Sequence, residues 1–204
     1  MRPPNRHANS SELADKIGDH HIPRDWWSRR FEYPWASQFA GPEFVVLDAA
    51  CGINHPFKFF LADTCSSTHA CDSLPNILRV NYPKLITHLH DITKPMKMSD
   101  DHFDRIFCIS SIEHISPKKS IEDVLSDFAR MLKPDGIVTV TFDLPDISVE
   151  EFLSFSSNAG LSPVGEVERE EPEDILIDPH HRFDPKMPRS EKRRVFCCAL
   201  NHTP

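Results

Sequence analysis

The 204-residue chain has no Cys-x-x-Cys pair, so its six cysteines do not read as a zinc module. No window approaches the roughly 18 apolar residues of a membrane-spanning helix. The opening residues, rich in Arg, Asn, His and Asp, lack the apolar core of a secretory signal. A soluble, cytoplasmic protein with no membrane partner is therefore expected. Positive charge is also short. The 23 Lys and Arg face 31 Asp and Glu, a formal net charge of -8, which argues against a nucleic-acid partner. The small basic clusters Arg29-Arg30 and Lys192-Arg193-Arg194 read as solvated charge. Glycine is sparse, six in all, and no G-x-G-x-x-G follows the first predicted strand, which disfavours a nicotinamide-dependent oxidoreductase.

Of the cysteines, Cys71, Cys108, Cys197 and Cys198 fall in apolar, strand-like runs and Cys51 in a tight turn. Together with Cys65 they read as reduced thiols of an intracellular protein. With 39% hydrophobic and 26% charged residues, the chain suits one domain with a substantial core. The run Phe44-Val45-Val46-Leu47-Asp48-Ala49-Ala50-Cys51-Gly52-Ile53-Asn54 is a short apolar strand that ends in an acid and turns through small residues. A ligand of an open parallel sheet lies outside the carboxyl end of such a strand, where only small side chains let it approach the backbone. Ala50 and Gly52 hold those positions.

Strands and helices alternate through most of the chain. Residues 1–24, with Pro3, Pro4 and Pro23, read as a loosely ordered lead-in to a single domain over 25–204. The aromatic run from Trp26 to Trp35 predicts a helix docked on the sheet, or a cover over its ligand. Pro56 starts a helix running to about Thr64. Strands are predicted to end at Asp72, at Asp91 after Ile86–His90, and at Ser110-Ser111 after Phe103–Ile109. Ser116 and Pro117 predict the start of a helix carrying Ile121, Val124, Leu125, Phe128, Met131 and Leu132 at helical spacing, and Lys133-Pro134-Asp135-Gly136 predicts its stop. The strand Ile137–Phe142 follows. Ser148 and Glu151 form a capping box for a helix to about Gly160, and Val164–Glu168 and Arg194–Leu200 are the last strand candidates. Between these two, residues 169–193 form a long acidic, proline-rich loop, a candidate lid insertion.

Five motifs in this order resemble those of the class I S-adenosylmethionine-dependent methyltransferases of small-molecule type. Val46 to Gly52 is similar to the strand-one motif, Asp72 to the second-strand acid, and Asp91-Ile92 to the adenine-reading pair. Phe103 to Ile115 is similar to the strand-four signature, and Met131 to Gly136 to the turn before strand five. The resemblance implies an α/β fold, a doubly wound, mostly parallel sheet of about seven strands with helices on both faces, and S-adenosylmethionine as cofactor. It places Asp48, Ala50, Cys51 and Gly52 at the cofactor's methionine portion and Asp72 at its ribose hydroxyls. Asp91 and Ile92 fall at adenine, and Ser73 and Ser110 complete the cofactor set. Ala50 and Asn54 stand where the family's first and third glycines usually stand. Alanine is tolerated if its φ stays negative, and asparagine accepts the left-handed region. Strand-end aspartates that merely cap the next helix are the competing reading.

Methyl transfer is an in-line displacement that needs positioning and water exclusion, with a base only where the nucleophile arrives protonated. His114 is the catalytic candidate, against a purely local hydrogen-bonding role. Glu113, His180, His181 and Asp184 are the other candidate bases. No metal is expected; His88 and His90 on one strand face and Asp178-Pro179-His180-His181 are the weak alternatives. Ser110-Ser111-Ile112-Glu113 differs from the Asn/Asp-Pro-Pro-aromatic motif of amino-methylating DNA enzymes and from the carboxylates of catechol-type ones. A small-molecule or glycan acceptor remains, and Phe31 to Trp35, similar to a segment of methyltransferases from glycosyl biosynthesis clusters, keeps the glycan in view. The alternative is a Rossmann-like binding or scaffold module without catalysis.

Overall fold

The computed structural model of the chain describes residues 4–182 and 187–203. Its strands are β1 (Arg6–His7), β2 (Lys16–Ile17), β3 (His20–His21), β4 (Val45–Ala49), β5 (Ser67–Asp72), β6 (Leu85–Leu89), β7 (Phe103–Ile109), β8 (Leu132–Leu144), β9 (Leu161–Pro163) and β10 (Arg194–His202). Its helices are α1 (Arg29–Ser37), α2 (Phe57–Thr64), α3 (Ser120–Met131), α4 (Val149–Asn158) and α5 (Pro179–Arg182). The main sheet runs β1-β10-β8-β7-β4-β5-β6, with β9 also on β10. From β6 to β8 every pairing is parallel, and β10 is antiparallel to its neighbours. This is the expected doubly wound α/β sheet.

Alternation along the strands builds two cores, because successive side chains leave opposite faces. Leu47, Ile106 and Cys108 join the cluster under α3 and α4, while Val46, Phe107 and Ile109 join the one under α1 and α2. The chain leaves β4 toward β5 and β6, then returns to lay β7 on the other side of β4. That reversal opens a crevice at the carboxyl ends of β4 and β7, the place where open α/β sheets bind ligands. No helix among the described residues is long and apolar enough to cross a membrane.

Several local expectations change. Residues 1–24 are not a loose lead-in where described: β1 pairs with β10, and Asn5, His7, Ala8 and Asn9 are buried. The Asn5 side chain donates to the carbonyls of Val164 and Glu166 and accepts from the Ala199 amide, closing backbone groups that the sheet edge would leave open. Val164–Glu168 is not a strand; β9 lies just before it, and Val167 makes only an isolated bridge to Asn5. Helix α3 begins at Ser120 rather than Pro117, since the amides of Ser120 and Ile121 close tight three-residue turns onto Pro117 and Lys118. Strand β8 starts at Leu132 and runs through Lys133–Gly136, which bulge out where Phe103 pairs with Leu132 and Arg105 with Ile137. The capping box at Ser148 and Glu151 is formed as read. Within 169–193, Ile175 and Leu176 are buried, and Ile175 bridges to Asn9.

Candidate active site

The crevice between β4 and β7 holds a cavity of about 140 Å³. Its floor is the small-residue turn after β4. Ala50 takes φ +54 and Gly52 φ +61, so the alanine occupies the left-handed region and not the negative φ that would have made it free of cost. Such a conformation costs an L-residue roughly 1–2 kcal/mol, and the turn holds it because both ends are pinned. The Cys51 amide donates to the Cys71 carbonyl, and the Gly52 amide donates to Asp72 Oδ2 at 2.9 Å. The wall from β7 contains Ile109, Ser110 and Ser111.

At the end of β4 the Asp48 carboxyl is 2% exposed, and its Oδ2 has no hydrogen-bond partner. Burial pushes its pKa up from 3.8 to about 7, with Lys58 pulling it down and Asp72 pushing it further up. Lys58 is itself fully buried; its Nζ donates to the Gly52 and His55 carbonyls at 2.6 and 2.8 Å and so locks the turn.

Helix α1 covers the crevice. Glu32, fully buried, accepts from Ser110 Oγ at 2.6 Å, Thr141 Oγ1 at 2.5 Å and Arg29 Nη1 at 2.6 Å, tying the helix to the carboxyl ends of β7 and β8. Burial opposes its charge, but Arg29 and the two hydroxyls outweigh that and hold its pKa below the usual value. The Tyr33 hydroxyl pairs with His55 Nδ1 at 2.6 Å, and Trp26 stacks on the same ring at 4.4 Å between centroids. The His55 ring lies against Gly52, where an added Cβ would stand 2.6 Å from it. Burial first, then Arg29 and Lys58, lower the His55 pKa to about 4, so the ring is neutral at pH 7.

A second cavity, of about 310 Å³, adjoins the first through Arg29, His55 and Ser110 and is flanked by Trp26 and Trp27. Glu113, His114 and Asp143 face it.

Of the sequence-predicted cofactor residues, Asp48, Ala50, Cys51, Gly52 and Ser110 line the first cavity together. Asp72 is one step removed. Its two oxygens accept from the Gly52 and Leu74 amides, one each, which leaves each oxygen a lone pair for a further donor. Asp91 is exposed, and its side chain closes its own turn onto the Thr93 amide and hydroxyl, the capping role that competed with adenine recognition. Ser73 is exposed, and Ile92 packs against the core. His114 is exposed at the rim of the second cavity. His180 and His181 line neither cavity, and Asp184 lies outside the described residues. His88 pairs with His69 at 3.0 Å and His90 with the Lys94 carbonyl. No group of three or more His, Cys, Asp or Glu that could hold a metal ion occurs among the described residues.

The sequence reading missed Arg29, Glu32, Tyr33, His55, Lys58 and Asp143. Half-buried Arg29 pairs with Glu32, buried Arg194 with Glu171, and Arg30 with Asp15, so those basic clusters are not plain solvated charge. A signal was available: a lysine inside Phe57-Lys58-Phe59-Phe60 and a glutamate between Phe31 and Tyr33 are charges inside apolar runs, rarely buried without partners.

Residues 47–140 match the family model described as a methyltransferase domain. Among solved structures, a TehB-like SAM-dependent methyltransferase from Corynebacterium glutamicum has a TM-score of 0.61 at 18% identity, covering 84% of this chain and 87% of that one. The Burkholderia thailandensis 1,6-didemethyltoxoflavin-N1-methyltransferase with bound S-adenosylhomocysteine has 0.59 at 17%, covering 87% and 82%. The [4+2]-cyclase SpnF has 0.64 at 12%, covering 96% and 87%. These likenesses speak for the fold. No curated protein sequence matches. The unpartnered Asp48 oxygen fits an ammonium and the adjacent Arg29 a carboxylate, the two charges at the amino-acid end of S-adenosylmethionine. The methyltransferase-domain match over residues 47–140, the sheet order and the strand-end site agree on a Rossmann-like methyltransferase fold.

Proposed function

We propose that the chain is an S-adenosylmethionine-dependent methyltransferase whose acceptor is a small molecule, glycans included, which meets the cofactor where the two cavities join. The observation that carries this reading is the shared wall of Arg29, His55 and Ser110 between the crevice at the β4 end and the 310 Å³ space beside it. A space of that size is at the lower end of small-ligand sites, roughly 300–1,000 Å³.

In this reading Asp48 accepts from the cofactor's ammonium, Arg29 faces its carboxylate, and the backbone of Ala50, Cys51 and Gly52 lines the methionine portion. Asp72 offers its remaining lone pairs to the ribose hydroxyls, next to Ser73. Asp91 and Ile92 flank adenine, and Ser110 stands near the sulfur. When bound, S-adenosylmethionine supplies a methyl already activated on a positively charged sulfur. The chain's share of the work is orientation and dryness: α1 closes the crevice on one side, and His55, backed by Trp26, closes it from above. His114 meets the acceptor at the rim.

The test is differential scanning fluorimetry with S-adenosylhomocysteine, followed by mass spectrometry of mixtures of small acceptors and oligosaccharides incubated with S-adenosylmethionine. A rise in Tm with ligand concentration follows from linkage to the folded state, and a product 14 mass units heavier than an acceptor supports the reading. No Tm change at millimolar ligand refutes it.

A further inference from the structure

We propose that the methyl acceptor is an amine, gripped and deprotonated by Glu113 with Asp143 beside it; this rests on the methyl-transfer reading above. Three observations converge on it. Both Glu113 carboxylate oxygens and Asp143 Oδ1 are buried, and none makes a hydrogen bond of normal geometry. Both side chains face the second cavity, which opens onto the cofactor crevice. Trp26 and Trp27 stand on the same cavity, and indole faces attract cations.

Buried carboxylate oxygens without donors are costly, so the geometry calls for a ligand that brings N–H groups. The cations already present are committed elsewhere. Arg29 is paired with Glu32 at 2.6 Å, and Arg193 lies 3.8 Å from Asp146. His55, above the crevice, is bound to Tyr33, and His114 is turned to solvent at the rim. An ammonium group entering between Glu113 and Asp143 supplies the missing donors. A carboxylate or phosphate there would bring no N–H donor and would meet the Asp143 charge, and an aliphatic alcohol offers only one donor.

The pair also sets the proton balance. Burial, followed by the nearby Asp143 and Glu32 charges, raises the Glu113 pKa to about 8 against the pull of its own amide and of Arg29. Burial and Glu32 raise that of Asp143 to about 6. In so dry a place a neutral acid beside a neutral amine is favoured over an ion pair. As the cation arrives Glu113 first gives its own proton to bulk; the ammonium proton then passes to the freed Glu113 oxygen and leaves the nitrogen its lone pair. That lone pair forms the new N–C bond while the S–C bond breaks with its electrons going to sulfur, giving a methylated ammonium and S-adenosylhomocysteine. The Glu113 proton then leaves to water.

The experiment is calorimetric titration of the full chain, saturated with S-adenosylhomocysteine, at pH 7.5. The probes are a panel of primary and secondary amines, including 2-phenylethylamine, with 2-phenylethanol and phenylacetate as matched controls. Amines bind at least tenfold tighter than their controls. Their binding enthalpy changes with the ionisation enthalpy of the buffer, because Glu113 gives up a proton to bulk as the cation arrives. Glu113→Gln abolishes that buffer dependence and weakens the amine at least tenfold, Asp143→Asn weakens it less, and both keep their affinity for S-adenosylhomocysteine. If the alcohol or the acid binds as well as the amine, if no amine binds, or if Glu113→Gln changes nothing, the inference falls while methyl transfer stands. Failure of S-adenosylhomocysteine itself to bind overturns both.

Discussion

Asp48→Asn should stabilise the empty protein and cripple its hold on the cofactor at the same time. The carboxyl is 2% exposed, has one oxygen without a partner, and titrates at about 7 in place of 3.8. Its folded pKa lies above its unfolded one, so between about pH 4 and 7 the folded chain holds more protons, and stability falls as pH rises through that window. Above pH 7 the whole cost is present, roughly 4 kcal/mol as an upper bound. Lys58 loses a nearby counter-charge in the variant but keeps its two carbonyl acceptors, which trims the expected gain to about 1–3 kcal/mol at pH 8 and about zero at pH 4. A hydrogen bond between charged groups contributes about 1.5–3 kcal/mol, so the S-adenosylhomocysteine Kd should rise by about 10- to 100-fold. Urea unfolding at pH 4 and pH 8 measures the first effect, and isothermal titration the second. If the variant is less stable than wild type at pH 8, or its Kd is within threefold of wild type, the assignment of Asp48 to the cofactor's ammonium is refuted.

Glu32→Gln removes one member of a buried ion pair and leaves Arg29 uncompensated, which should cost about 3–5 kcal/mol in urea unfolding; a loss under about 1 kcal/mol would show that α1 is held by its apolar face alone. Gly52→Ala puts a Cβ 2.6 Å from the His55 ring at a φ of +61. It should lower stability by about 1–3 kcal/mol and displace His55, seen as loss of the Tyr33–His55 pairing in NMR spectra of the imidazole; an unchanged His55 signal counts against the packing described. Ala50→Gly relieves the φ of +54 and should raise stability by about 0.5–1 kcal/mol after the extra unfolded-state entropy of glycine is taken off, readable as a higher urea midpoint with an unchanged m-value.

Much of the sheet was legible because buried parallel strands carry their signal locally. Phe103–Ile109 was read with its observed bounds, Ser67–Asp72 with its observed end, and Arg194–His202 with its observed start and an end two residues short. The helix over 149–158 was legible from its capping box, a contact within one turn. The bulge at Lys133–Gly136 was not, since whether those residues end a strand or bow out of one depends on where Phe103 and Arg105 find partners.

Within the site, local order along the chain determined that Asp48, Ala50, Cys51, Gly52 and Ser110 would stand at strand ends, because a strand that stops at a small-residue turn delivers its last residues to one edge of the sheet. Tertiary structure alone decided which charges are used and which are stranded. Glu32 lies 78 residues from Ser110 and 109 from Thr141, and no spacing rule connects them. Asp91 turned one oxygen, Oδ1, to its own turn, whereas both oxygens of Glu113 and Oδ1 of Asp143 were left without donors beside two tryptophans. The type of an ionisable residue is written in the sequence, but its partner, its dryness and hence its chemistry come from what the fold brings against it.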